Sequence, residues 1–159
     1  MSVDDSAIEV QAQGWRTLAA LHNRIEAELE RALQDAGELS VVEFTMLSVL
    51  GRQPGSWHMR MQQVSRATAL SPSATTRLVT RLEKRGLLRR ILCDDDRRGI
   101  YTELTQAGAE LLGSVQPAHE RALRKALQEA REVPELALLV DAVTGLAGAA
   151  SAVARSAAP

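Results

Sequence analysis

Residues 70–86, LSPSATTRLVTRLEKRG, constrain the fold more than any other part of the chain. Ser71 is placed to cap a helix, and Pro72 takes the first helical position, where its missing N–H costs nothing. Gly86 supplies the stop. Between these ends Thr75, Leu78, Val79 and Leu82 fall on one face, and Ser73, Thr76, Arg77 and Thr80 on the opposite one. The first face must be buried. The second is an unusual solvent face: in place of Glu and Lys pairs four residues apart, it carries short hydroxyls around one guanidinium.

The flanking segments extend the pattern. Residues 61–68 predict a short helix that buries Val64 and Ala67 and joins the capped helix through a tight link. After Gly86, LLRRILC and IYTEL read as two strands joined by the turn CDDDRRG, residues 93–99, which Gly99 helps to close. Upstream, Ser40 and Glu43 form a capping box, with Leu39 and Phe44 as its hydrophobic staple. That helix runs to about Gly51, and RQPGSW is a turn punctuated by Pro54 and Gly55. The centre of the chain is therefore a helix-turn-helix followed by a β-wing.

The two ends are helical. Over residues 6–36, Trp15, Leu18, Leu21, His22, Ile25, Leu29 and Leu33 share a stripe that stops at Gly37. At 1.5 Å per residue this helix spans roughly 45 Å, which suggests that it reaches into a partner subunit. Thr105 caps another helix to about Ala130, in which Pro117 should produce a kink or cost a hydrogen bond. The last helix carries Leu136, Leu139, Val143, Leu146, Ala150 and Val153 as its stripe.

Charge is unevenly spread. The whole chain of 159 residues has a net charge of −1, but residues 56–104 hold ten Lys/Arg and five Asp/Glu, a balance of +5. A basic module between acidic arms points toward nucleic acid. On the capped helix, Arg77 can grip guanine O6 and N7 with two hydrogen bonds, and the hydroxyls can meet phosphate or base edges. Arg81, Arg85, Arg89 and Arg90 read as phosphate contacts or as core-edge ion pairs. No apolar run is long enough for a transmembrane helix, and the acidic start lacks the pattern of a signal peptide. A single cysteine, Cys93, fits a reducing cytoplasm.

LSPSATTRLVTRLEKRGLLRR, followed by CDDDRRGIYTELTQAG, resembles the MarR family of winged helix-turn-helix regulators over about residues 39–108. The resemblance implies a mainly α fold with a small β-wing. Residues 39–104 would form the DNA-binding region, and 1–38 with 105–159 the dimerisation helices of one continuous domain. It implies a triangular homodimer that places a recognition helix from each subunit in successive major grooves of double-stranded DNA, with wings along the minor grooves. The DNA-binding set is then Ser71, Ser73, Thr76, Arg77, Thr80, Arg81, Asp96, Arg97 and Arg98. Asp96 would steer Arg98 into a narrow minor groove, whose negative potential favours it; Arg97 would meet phosphate. Cys93 and Asp94 depart from the commonest wing pattern, which has Asp or Asn and then Pro.

The family often responds to small anionic aromatics, metals or oxidants. Trp15, Arg16, His22, Trp57 and His58 are the candidates for an effector pocket, mostly apolar with a few polar groups. The histidines are too scattered for a metal site, and no cofactor is expected. The sequence carries no nucleophile triad, phosphate loop or metal motif, so no enzyme is expected. A ligand-responsive repressor at a pseudo-palindromic operator is the reading these features favour. Two alternatives stay open: a winged-helix protein-interaction module without DNA binding, and a thiol-based redox regulator using Cys93.

Overall fold

A computed structural model describes residues 3–53, 58–93 and 96–156, with side chains over 6–53, 58–92 and 100–146. In chain order the elements are α1 (Val3–Gly37), α2 (Val41–Gly51), β1 (His58–Arg60), α3 (Met61–Ala67), α4 (Pro72–Lys84), β2 (Leu88–Cys93), β3 (Asp96–Leu104), α5 (Gln106–Arg131) and α6 (Pro134–Ser156). The fold is mainly α with a small antiparallel sheet. The chain groups into two compact units, residues 30–119 and the combined N- and C-terminal parts.

Within residues 30–119, Leu33, Leu39, Phe44, Met46, Leu47, Leu50, Val64 and Val115 share one core with Leu78, Val79, Leu82, Leu87, Leu88 and Leu104. The buried face of α4 is the predicted one, including the polar Thr75. Thr75 is tolerated because its hydroxyl donates to Ser65 Oγ (3.1 Å), which itself donates to the Leu70 carbonyl (2.8 Å). This chain of hydrogen bonds pins α3 to α4. It also corrects one expectation: Ala67 is exposed, and Ser65 is the residue buried beside Val64.

Two turns close with the same device. After α4, Gly86 takes φ 73°, its N–H donates to the Glu83 carbonyl (2.9 Å), and the Leu87 N–H donates to the Leu82 carbonyl (3.0 Å). After α3 the same pair of bonds runs from Ala69 to Arg66 (3.3 Å) and from Leu70 to Ser65 (3.1 Å), but the left-handed residue is an alanine, at φ 54°. A Cβ in that conformation costs about 1 kcal/mol. Ala69→Gly is therefore expected to raise unfolding stability by about 0.5–1 kcal/mol in urea titrations. The stop of α1 also differs from expectation. Gly37 is its last helical residue, and Glu38 makes the left-handed turn (φ 52°), held by an N–H bond to the Gln34 carbonyl (3.0 Å) and by burial of Leu39 just beyond.

The sheet order is β1-β3-β2. β1 is absent from the sequence reading. Its three residues pair His58 with Glu103, Met59 with Thr102 and Arg60 with Tyr101, too short a run for any alternation to show. β3 starts at Asp96, which pairs with Cys93 after an irregularity at Leu92/Cys93. Asp96 to Gly99 are thus strand residues, so Gly99 does not close the turn.

In the other unit, Leu21, Ala130, Leu136 and Val140 form the core, with Ile25, Leu127, Val133 and Leu139 against it. Pro117 does not end α5. The predicted stripes are buried only in part. Trp15 is 68% exposed and Leu146 69%, with Leu18 and Val143 also exposed, as are Ile8 and Val10 outside the stripe; the side chains of Ala150 and Val153 lie outside the described residues. Among the described residues no helix is long and apolar enough to cross a membrane.

Candidate nucleic-acid interface

The exposed side of α4 is built from its N-terminus. Ser71 caps the helix by accepting the Ala74 N–H (3.3 Å), and Ser73 Oγ lies 3.3 Å from Ser71 Oγ. Thr76 Oγ1 donates back to the Pro72 carbonyl (3.0 Å), and Thr80 Oγ1 to that of Thr76 (2.9 Å). Thr76 Oγ1 keeps its acceptor capacity on the exposed face, whereas Thr80 Oγ1 already accepts from Arg90 Nη2 (2.7 Å). Ser73, Thr76 and Arg77 are exposed, while Thr80 is half-buried. Arg77 forms no hydrogen bond or ion pair among the described residues, so its fork of donors is not taken up by any of them.

The other arginines of the module differ. Arg81 donates through Nε to Glu43 Oε1 (2.8 Å), and Arg85 donates to the Glu38 carbonyl (2.9 Å) with Glu43 Oε2 at 3.6 Å. Arg89 pairs with Glu103 across the sheet, and Arg90 with Glu83. Arg81 is thus tied to the core edge through one nitrogen, and only its remaining donors are available outside. Glu43, which sequence reasoning took only as a capping residue, is buried and anchors this cluster. Burial alone would raise its carboxyl, but the Ser40 backbone N–H, the Arg81 guanidinium and the Ser40 hydroxyl outweigh that and hold it below the usual carboxylate range. No sequence signal links Glu43 to residues 38 and 42 positions away.

β2 and β3 form an antiparallel hairpin, of which residues 93 and 96–99 are described by their backbone alone. The side chains of Asp96, Arg97, Arg98 and Cys93 lie outside the described residues, as do Asp94, Asp95 and Trp57 altogether. Of the effector candidates, Arg16 lines a groove of about 490 Å³ with Gln13, Thr17, Arg24, Val133 and Leu136, and is ion-paired to Glu9 (2.8 Å). Trp15 and His22 are exposed and do not line it. His58 packs edge-on against Tyr101, with ring centroids 5.3 Å apart, in the unit that holds the sheet. No cluster of three or more metal-ligating side chains occurs among the described residues.

A capped helix presenting hydroxyls and an unpaired arginine, docked on a second helix through a tight turn and followed by a hairpin, defines a winged helix-turn-helix protein. Residues 38–99 match the family model described as "MarR family". The chain is 31% identical over 100 residues to the HTH-type transcriptional regulator PecS of Dickeya dadantii, covering 61% of this chain and 60% of that protein. The match thus spans less than two thirds of PecS. It is similar to the structure of Sco3205, a MarR family transcriptional regulator from Streptomyces coelicolor, in complex with DNA (26% identity, TM-score 0.71, 100% of this chain and 91% of that one). AbsC, a MarR family regulator from the same organism, superposes with TM-score 0.70 at 29% identity, covering 90% and 95% of the two chains. Residues 38–99 thus match the MarR family, and the chain is similar to MarR family proteins that are transcriptional regulators and not enzymes.

Proposed function

We propose that the chain is a cytoplasmic, homodimeric, DNA-binding transcriptional regulator that acts as a ligand-responsive repressor. The observation that carries the reading is Arg77, exposed and without a partner among the described residues, beside Ser73 and Thr76 on the outer face of α4. Its bidentate donors match the major-groove edge of guanine, and the hydroxyls match phosphate and base acceptors. Sco3205, similar over the whole chain, was solved in complex with DNA. The exposed apolar residues of α1 and α6 support a second copy as the cover for this surface, since a monomer seldom leaves such a patch in water. Two copies then present two α4 helices to half-sites about 10 bp apart. A small anionic aromatic effector would act by favouring a dimer whose helices are wrongly spaced for DNA.

Selection from a random duplex pool, followed by titration of the recovered sequence, tests this. Arg77→Ala is expected to lower affinity for the selected duplex by roughly 10- to 100-fold and to relax preference for guanine at one position of each half-site. Arg98→Ala is expected to weaken binding with little change in major-groove preference. If both variants bound as the parent does, the assignment of these residues would be wrong.

A further inference from the structure

We infer that Arg90 is a positioning residue that locks the first strand of the wing to the recognition helix, so that the two DNA-directed elements are presented as one rigid pair. The inference rests on the DNA-binding reading above and concerns how its geometry is held.

Arg90 sits on β2, two residues past the buried Leu88. Its backbone N–H donates to Glu83 Oε1 (3.1 Å), and its Nη1 pairs with Glu83 Oε2. Its Nη2 donates to Thr80 Oγ1 (2.7 Å) and to the Thr76 carbonyl (3.3 Å). One carboxylate thus holds both the main chain and the side chain of the same residue, while the guanidinium reaches back over Thr76, Thr80 and Glu83, two turns of α4. Both partners are only about a third exposed, at 29% and 35%, so water competes less than at an open surface pair. A planar fork can hold these acceptors at fixed angles, whereas a lysine offers a single nitrogen.

Three consequences follow. Arg90 lies in the basic stretch, yet its charge is matched within the chain and is not offered to phosphate. Thr80 gives its proton to Thr76 and accepts from Arg90, which leaves base reading by α4 to Ser73, Thr76 and Arg77 in its first two turns. The hairpin leaves α4 through Gly86 and Leu87, and the Arg90 contacts add a second point of attachment that fixes its direction.

Charge alone and positioning predict opposite signs for one substitution, which makes the test sharp. Glu83→Gln removes a negative charge from the DNA-facing module. By electrostatics alone it should tighten duplex binding; by loss of the clamp it should weaken it. With the full chain and the duplex it selects from a random pool, Arg90→Ala, Arg90→Lys and Glu83→Gln are each expected to weaken binding about tenfold. The double variant Arg90→Ala/Glu83→Gln should be no worse than either single one. The slope of log affinity against log salt should stay at the parent value, because no phosphate contact is lost. Tighter or unchanged binding by Glu83→Gln, full restoration by Arg90→Lys, or a slope lower by about one unit in Arg90→Ala would overturn the inference. A measurement without DNA keeps the two readings separable. In a Cys93→Ser chain spin-labelled at positions 73 and 100, Arg90→Ala should broaden the distance distribution between α4 and β3; a distribution as narrow as the parent's overturns the clamp. A parent protein that captures no duplex at all overturns the DNA-binding reading itself, before any variant is compared.

Discussion

Gly108→Ala is expected to cost about 2–3 kcal/mol of unfolding stability, while Gly113→Ala, one and a half turns further along the same helix, is expected to add about 0.5–1 kcal/mol. On helix propensity alone both changes should help, since alanine is the better helix former. The surroundings separate them. A Cβ at Gly113 meets nothing within 4 Å. At Gly108 it would fall far inside van der Waals contact of the Leu87 carbonyl oxygen, and 2.7 Å from Leu104 Cδ1. That carbonyl cannot retreat easily, because it accepts the Thr105 N–H (3.1 Å), while Thr105 Oγ1 donates to the Gly86 carbonyl (2.7 Å) and accepts the Gly108 N–H (3.0 Å). The start of α5 is thus laced to the residues that launch β2, and only a glycine lets the two backbones come so close. For a chain of this length the loss at Gly108 corresponds to roughly 5–10 °C in melting temperature. Calorimetry or urea titration of the two variants side by side checks it; equal shifts in both would show that the close approach is not real.

The contrast between those glycines marks where sequence reading works. Helix α4 was legible throughout, because both its ends and both its faces carry local signals: Ser71 and Pro72 at the start, Gly86 at the stop, and apolar residues at helical spacing between them. The Ser40–Glu43 capping box was legible for the same reason, being set by residues three apart. Strand β1 was not, since a three-residue strand takes its identity from its partner β3 and from nothing in its own composition. The left-handed turns at Glu38 and Ala69 were also hidden, because tertiary burial of Leu39 and closure of the α3–α4 turn impose them on residues that do not favour them. The boundary between turn and strand near the wing tip shifted as well, as Asp96 through Gly99 pair within β3.

The same division runs through the site. The reading face of α4 follows from periodicity, and Arg77 stands out as a lone guanidinium among hydroxyls. What the sequence cannot sort is which of the many arginines are already engaged. Arg81 and Arg85 are held by Glu43 from a distant part of the sequence, and Arg90 is held by Glu83. A cation count of the module therefore overstates the charge offered to a duplex. Of the stripes of α1 and α6, Leu21, Leu29, Leu33 and Leu136 are buried, whereas Trp15, Leu18, Val143 and Leu146 are left uncovered by the described residues.

Glu43→Gln is expected to lose about 2–3 kcal/mol at neutral pH, and the loss should shrink as the solution is made acidic. Glu43 accepts the Ser40 N–H (2.8 Å) and the Ser40 hydroxyl (3.2 Å) through Oε2, and Arg81 through Oε1. Glutamine keeps the shape and one acceptor, but it offers Arg81 no negative charge and turns an amide donor toward one of the groups that now donate to Glu43. The native carboxyl titrates below its ordinary value, because those donors outweigh the burial that would raise it. A group whose value is lowered by folding contributes stability that is fully present above its unfolded value and is lost as pH falls through its folded one. Melting curves of parent and variant from pH 7 down to pH 3 should therefore converge, the parent falling toward the variant as Glu43 takes up its proton. At neutral pH the gap should be roughly 5–10 °C. A gap that stays constant over the whole range would mean that the charge of Glu43 contributes nothing and that only its shape matters. Because Arg85 also donates to the Glu38 carbonyl at the end of α1, the carboxylate ties the start of α2, the end of α1 and the last turn of α4 to one buried charge, so its protonation loosens all three together.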